Sequence, residues 1–271
     1  MKAVILAAGQ GTRLRPLTDD RPKCMVELGG VPLLHRQLAA LLQAGVTDVS
    51  VVVGYMADRV SAPGIMLVAN HRYASTNMVS SLFCAEAILR SGDDVLISYG
   101  DIVCEPRLIA GVAASPAALA VAVDVGWRAY WELRFADPLD DAETLRLRDD
   151  GTIAEIGQKP GSIDEIEAQY LGLLKVSPQG ARDLLSAHGR LRELDAGAVD
   201  RMYMTDFLQH LIAEGYPVQA VPVRHGWLEI DNLSDVELYE GGAVAAIYDD
   251  AFLGRIARQP SIRRGDGSSA G

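Results

Sequence analysis

Cysteine is scarce in this chain. Cys24, Cys84 and Cys104 are widely spaced, odd in number and without a CxxC pair. A disulfide framework and a cysteine-based zinc site are thereby excluded. Positive charge is also short: 25 Lys and Arg stand against 36 Asp and Glu, for a formal net charge of −11. A surface that holds nucleic acid is normally basic, so nucleic acid is excluded as a partner. The acidic balance is read as solubility. No apolar run is long enough to span a bilayer, which leaves no membrane partner. The five histidines, His35, His71, His188, His210 and His225, fall into no ligand spacing. Gly9-x-Gly11 lacks both the third glycine of the dinucleotide fingerprint and the Gly-Lys-Ser/Thr ending of a P-loop. No internal repeat and no clear linker divide the chain. Met1-Lys2 runs straight into an apolar strand, so no removable signal segment is expected, and the expected compartment is the cytoplasm.

What is present is an alternation of strand and helix signals, the pattern of an α/β fold with a mostly parallel sheet. Apolar runs at Ala3–Leu6, Val49–Val53, Ile65–Val68, Asp94–Ser98 and Ala118–Val123 read as strands. Helical spacing covers Pro32–Ala44 and Val79–Leu89. Further on, Leu145–Arg148 and Ile153–Ile156 read as a hairpin turning at Asp149-Asp150-Gly151, and Tyr170–Val176 and Val218–Val223 as strands. Gly180–Ala187, Thr205–Ala213 and Ser234–Glu240 read as helices, the last with Ser234 as N-cap. Residues 255–271 are basic, then rich in Gly and Ser, and read as a disordered tail.

The first strand passes into Ala7-Ala8-Gly9-Gln10-Gly11-Thr12-Arg13. Small side chains let a polyanion approach the backbone N–H groups. Arg13 adds a fixed positive charge, and Pro22 stiffens the chain before Lys23. Together these describe a triphosphate cradle with two cations. Lys23 is expected to be an exposed cleft lysine that contributes little to packing. In open α/β sheets chemistry collects at the carboxyl ends of strands, where Gly9, Asp101 and Asp124 fall. The string Leu6-Ala7-Ala8-Gly9, Gly11-Thr12-Arg13, Pro16-Leu17-Thr18, Pro22-Lys23 and Gly30-x-Pro32-Leu33 resembles the signature of the nucleotidyltransferase superfamily that builds nucleotide-sugars and CDP-alcohols.

The resemblance implies a single Rossmann-like domain over residues 1–254, with a mostly parallel mixed sheet flanked by helices and a small β-rich acceptor-binding subregion. The nucleotide-binding part would cover about 1–125 and the acceptor-binding part about 126–240. Leu6, Ala7, Ala8, Gly9, Gly11, Thr12, Arg13 and Gly100 would line the nucleotide. Lys23, Arg13 and Asp101 would be catalytic. Asp101 and Asp231 would hold Mg²⁺, with Mn²⁺ as an alternative hard cation that takes oxygen ligands. Glu229, two residues before Asp231 on a strand, would share its face as ligand or supporting partner.

Asn70–Leu82, NHRYASTNMVSSL, resembles a segment of phosphocholine cytidylyltransferase-like enzymes. Thr76, Asn77, Ser80 and Ser81 offer donors and acceptors for a pyrimidine and ribose, while Ser75 or Thr76 could equally cap a helix. The implied partners are therefore CTP and a small phosphate or phosphonate acceptor, and a homodimer is compatible with the sequence. Lys159, in Gln158-Lys159-Pro160, corresponds to a Lys-Pro that reaches the acceptor phosphate in relatives, although Gln158 departs from the Lys or Glu common there. Trp127, Trp131, Tyr170 and Trp227 form either an aromatic wall for a quaternary ammonium or core packing. Arg134 either meets an additional acceptor anion or pairs with Asp137, Asp141 or Glu143. Choline-like and phosphonate-like acceptors both remain open. The alternatives in function are a sugar-1-phosphate nucleotidyltransferase using UTP, dTTP or GTP, and a non-catalytic nucleotide-binding regulatory domain.

Overall fold

The computed structural model describes residues 1–256. The chain runs β1 (Lys2–Ala7), β2 (Glu27–Leu28), β3 (Val31–Pro32), α1 (Leu33–Gln43), β4 (Asp48–Val53), β5 (Ile65–Ala69), α2 (Met78–Cys84) and α3 (Glu86–Leu89). Then come β6 (Val95–Tyr99), β7 (Ile102–Cys104), α4 (Pro106–Ala113), β8 (Leu119–Asp124), α5 (Trp127–Arg134), β9 (Leu145–Leu147) and β10 (Ile153–Ile156). The remainder is β11 (Gln169–Val176), α6 (Pro178–Arg201), α7 (Met204–Ala213), β12 (Gln219–Val223), β13 (Trp227–Glu229), α8 (Leu233–Glu240) and α9 (Ala251–Ile256). The expected disordered tail 255–271 lies outside the described residues, apart from its first two positions at the end of α9.

Seven strands form one sheet in the order β12-β8-β11-β6-β1-β4-β5. Neighbours are parallel except at β11, which runs antiparallel between β6 and β8. The mixed, mostly parallel sheet agrees with the α/β reading. Side chains alternate across β1: Ala3, Ile5 and Ala7 enter one core and Val4 and Leu6 the other. Both faces are therefore apolar, as a strand buried on two sides requires. Leu33, Leu34 and Leu41 of α1 and Leu108 and Val112 of α4 cover the first face. Val79 and Leu82 of α2, Leu184 of α6 and Phe207 and Leu211 of α7 cover the second.

Several local expectations need correcting. The helix read over Val79–Leu89 is two short helices, broken at Ala85 (φ −93°, ψ 22°). Asn77, and neither Ser75 nor Thr76, caps α2: its Oδ1 accepts from Met78 N at 2.9 Å. The cap of α8 is Asn232, two residues before the expected Ser234. The helix at Gly180–Ala187 continues to Arg201 across a kink at Asp195. Among the described residues no helix is long and apolar enough to cross a membrane.

One packing detail carries a pH dependence. His188 of α6 stacks on Phe83 of α2, with ring centroids 3.5 Å apart and planes 6° from parallel. Burial, aided by nearby Arg192, lowers its pKa to about 4. A histidine held neutral in the fold contributes stability that is present above about pH 6.5 and lost as pH falls towards the lowered value. Between pH 7 and pH 4.5 this residue should cost no more than about 1 kcal/mol, because the half-buried ring remains open to screening by water. Thermal unfolding of His188→Gln should show a correspondingly shallower acid slope than the wild type. Equal slopes would remove His188 from the account.

Candidate active site

Two adjoining cavities open at the carboxyl ends of the central strands. The first is lined by Leu6, Ala7, Ala8 and Gly9 after β1, by Gly100 and Asp101 after β6, by Lys23 and Cys24, and by Tyr73, Thr76, Asn77, Met78 and Ser81. Gly100 allows β1 and β6 to close together: a Cβ there would sit 2.8 Å from the Leu6 carbonyl oxygen. Gly11 adopts left-handed φ of 61°, and a Cβ there would meet the Lys23 Cβ at 2.9 Å. Gly11 and Thr12 line neither cavity; they belong to the turn that delivers Arg13, and the Gly11 carbonyl accepts from Thr18 Oγ1 at 2.9 Å. Ser80 also turns away, its hydroxyl donating to Asp200 at 3.3 Å. Asn70 organises the segment from beneath. Its buried amide donates to Thr76 Oγ1 and Ser81 Oγ, both at 3.0 Å.

At the junction of the cavities four charged side chains meet. Lys23 Nζ donates to Asp101 Oδ2 at 2.7 Å and to Asp231 Oδ1 at 2.6 Å. Arg13 Nη2 lies 2.6 Å from Asp231 Oδ2. Contrary to the expectation of an exposed lysine, the Lys23 side chain is only 15% accessible. Burial opposes its charge, but Asp101 and Asp231 outweigh that and raise its pKa above the ordinary value. Burial likewise works against the Asp231 carboxylate, yet Lys23 and then Arg13 hold its pKa below the usual range. The fold creates this meeting through β13, which pairs antiparallel with β7, Glu229 opposite Ile102. Ile230 N then donates to the Asp101 carbonyl at 3.0 Å, and Asp231 follows.

The second cavity is lined by Arg13, Met78, Tyr99, Trp131, Asp141, Glu143, Thr144, Gln169, Tyr170, Tyr203, Thr205, Glu229 and Asp231, among others. Its charge is mostly negative. Burial, with Asp101 and Asp231 across from it, pushes the Glu229 carboxyl up to about 7 against the opposing pull of Arg134. Burial also raises Asp141 and Glu143. Trp131 Nε1 donates to Asp141 Oδ2 at 3.1 Å, and the Tyr170 hydroxyl is buried without a hydrogen-bond partner.

Four expected acceptor residues do not line this cavity. Trp127 and Trp227 are core residues, 4% and 1% exposed. Trp127, Tyr130 and Trp131 sit at i, i+3 and i+4 on α5, so one helical face carries all three inward, where Tyr130 and Trp131 meet Trp227 and Trp127 packs on Trp131. The Trp227 indole N–H donates to fully buried Asp124 at 3.0 Å. Arg134 is also buried. It pairs with Asp235 at 2.9 Å and Glu229 at 2.8 Å, not with Asp137, Asp141 or Glu143. Because Asp235 Oδ2 also accepts from Asp231 N at 2.8 Å, Arg134 clamps the turn that presents Glu229 and Asp231. Lys159 is exposed and donates to the Leu139 carbonyl, away from both cavities. Sequence reasoning missed Tyr73, Met78, Tyr99, Asp141, Glu143, Tyr203 and Thr205 as lining residues. Asp141 and Glu143 carried a signal, a charged pair after a stretch rich in aromatic residues; Tyr203 and Thr205 carried none beyond starting α7.

Comparison with known proteins places this geometry among nucleotidyl transferases. Residues 3–194 match the MobA-like NTP transferase domain. A CTP:phosphoglutamine cytidylyltransferase of Campylobacter jejuni is 39% identical over 252 residues, 88% of this chain and 98% of that protein. A 2-aminoethylphosphonate cytidylyltransferase of Lancefieldella rimae is 28% identical over 251 residues, 89% and 93% of the two chains. Among solved structures, the CTP:phosphocholine cytidylyltransferase of Streptococcus pneumoniae superposes with a TM-score of 0.66 at 22% identity, covering 89% of this chain and 98% of that one.

Proposed function

The chain belongs to the MobA-like NTP transferase domain family, and on that premise we propose that it is a CTP-dependent cytidylyltransferase. An ionised phosphate or phosphonate oxygen of a small acceptor attacks the α-phosphorus of CTP. A new P–O bond forms, the bond to the α–β bridging oxygen breaks, and its electron pair leaves with pyrophosphate. The observation that carries this reading is the placement of Arg13, Lys23, Asp101 and Asp231 where the two cavities join. The loop after β1 receives the triphosphate through backbone N–H groups, and Arg13 and Lys23 balance the charge that builds on its oxygens. Such transfer depends mainly on positioning and neutralisation of facing anions. The cytoplasm is the proposed compartment.

Asp101 and Asp231 fit Mg²⁺ or Mn²⁺. They are hard oxygen donors that converge on a single ammonium, and Asp101 Oδ1 is buried without a hydrogen-bond partner. Two carboxylates, completed by substrate oxygens and water, suit such an ion. Its chemistry there is charge neutralisation on the phosphate oxygens.

The acidic second cavity favours an acceptor that carries an ammonium as well as its phosphoryl group. Asp141 and Glu143 would meet the cation, and Tyr99 and Tyr170 would supply aromatic edges and faces. With CTP, amine-bearing acceptors such as phosphoglutamine, 2-aminoethylphosphonate or phosphocholine should release pyrophosphate. Hexose 1-phosphates with UTP or dTTP should not. Glu143→Gln should raise KM for the amine-bearing acceptor about tenfold, as the loss of one charge-assisted contact would, and leave KM for CTP within about twofold. Turnover confined to UTP or dTTP with a sugar phosphate would overturn the cytidylyl reading. CTP binding without pyrophosphate release from any acceptor would favour a regulatory domain.

A further inference from the structure

Neither cavity displays Asp200, yet this residue is tied to both. It lies near the end of α6, beyond the kink at Asp195 (φ −155°, ψ 93°). Asp195 Oδ1 accepts from Ala198 N at 2.9 Å and so caps a new helical turn that carries Asp200. The Asp200 side chain is 15% accessible and gathers three donors. Oδ2 pairs with Arg72; Oδ1 accepts from Ser80 Oγ and Arg192 Nη1, each at 3.3 Å. Its backbone carbonyl accepts from Asn77 N at 2.7 Å, and the neighbouring Arg201 carbonyl accepts from Asn77 Nδ2 at 3.3 Å. Asn77 lines the first cavity and caps α2. A few residues after Asp200, Tyr203 and Thr205 line the second.

An isolated surface ion pair would deserve little weight. This one differs because two of its three partners, Arg72 and Ser80, sit on a segment, 70–81, that faces one cavity, while the chain it anchors walls the other. We propose that Asp200 is a positioning residue through which nucleotide binding at 70–81 orders the acceptor wall at 196–205. The proposal rests on the reading that the first cavity takes CTP. Its physical content is the Asp200 carboxylate shared by Arg72 and Ser80, beside the bonds from Asn77 to the Asp200 and Arg201 carbonyls: if the 70–81 segment is held by nucleotide, Asp200 is held too, and Tyr203 and Thr205 are placed before the acceptor arrives. Pre-placement matters because attack on phosphorus tolerates little misalignment.

Amide hydrogen exchange of the full chain with CTP and Mg²⁺, without acceptor, tests this. In the wild type CTP should slow exchange at 76–81 and also at 196–205, although no residue of 196–202 lines the nucleotide cavity. In Asp200→Ala, CTP should still protect 76–81 but protect 196–205 clearly less than in the wild type, since the backbone bonds from Asn77 remain. Asp200→Asn, which keeps an oxygen for Ser80 but loses the ion pairs, should fall between them. Arg72→Gln breaks the same tie from the other side and should reproduce Asp200→Ala if that variant folds poorly. Turnover in Asp200→Ala should show kcat/KM for the acceptor reduced roughly tenfold, in the range of measured coupling between sites. Equal protection of 196–205 in wild type and variants would overturn the proposal alone, as would protection of 76–81 without 196–205 in the wild type. No protection of 76–81 in the wild type would overturn the nucleotide reading together with it.

Discussion

Lys23→Ala is expected to lower turnover by about 10²–10³, the loss typical of one preorganised electrostatic stabiliser, and to destabilise the fold as well. The second effect follows from the burial of the ammonium between Asp101 and Asp231. Without it, two mostly buried carboxylates face one another, and only Arg13 remains on Asp231. Removing one partner from a buried ion pair costs about 3 kcal/mol or more. The sign with pH is fixed by the directions of the shifts. Asp231 is held below the usual carboxylate range, so its share of stability is present at neutral pH and lost as acid protonates it. Lys23 is held above its ordinary value, so its share persists through neutrality and fades only in strong base. In the variant the strain lies between two ionised carboxylates, and protonating either relieves it. The gap in thermal midpoint between wild type and Lys23→Ala should therefore be wider at pH 8 than at pH 5. Near-normal turnover would remove Lys23 from catalysis; a pH-independent gap would mean the carboxylates do not repel.

Asp101→Asn and Asp231→Asn should each lose about 10³ in turnover, and the double variant should be little worse than either single. Residues that act as a unit behave this way. Their convergence on one ammonium is the geometric ground for treating them as a unit. Activity should vanish with EDTA and return with Mg²⁺ or Mn²⁺. The two variants should also lose binding of Mn²⁺ followed by its paramagnetic resonance in the presence of CTP. Multiplying losses in the double variant would assign the two aspartates separate tasks, with Asp231 then holding Arg13 and Lys23 in place.

What could be read without coordinates was what is local. Small residues after an apolar strand announce a loop that an anion can approach, and Ala7, Ala8, Gly9 and Gly100 do line the first cavity. Asp101 and Asp231 do meet, but not because both end strands at one sheet edge: Asp101 follows β6 of the seven-stranded sheet, whereas Asp231 follows β13, which pairs with β7 in a separate two-stranded ribbon. What failed depends on partners distant in sequence. Helical spacing over Trp127–Arg134 turns the tryptophans inward, and that helix was hidden in a stretch mixing aromatic and charged residues. Arg134 found Asp235, 101 positions away, and nothing near it in sequence signals that choice. Lys159 kept the expected Lys-Pro pattern but not the reach, because its loop leads it to the Leu139 carbonyl. Ser80 kept its donor and spent it on Asp200.

The pairing of β13 with β7 gives the protein a chronology. The cradle after β1, Lys23 and Asp101 are synthesised well ahead of Asp231, which lies 208 positions beyond Lys23. Closing so long a loop costs little more entropy than closing one half its length, so delay here is a matter of synthesis order. β11 reinforces that order, since it must enter between β6 and β8 before the centre of the sheet is continuous. A nascent or prematurely ended chain that stops short of β13 carries the nucleotide-facing loop with Lys23 unmatched by its second carboxylate. If Asp231 acts as proposed, catalytic competence therefore waits for the pairing of β13 with β7, and a chain ended before β13 should be inactive.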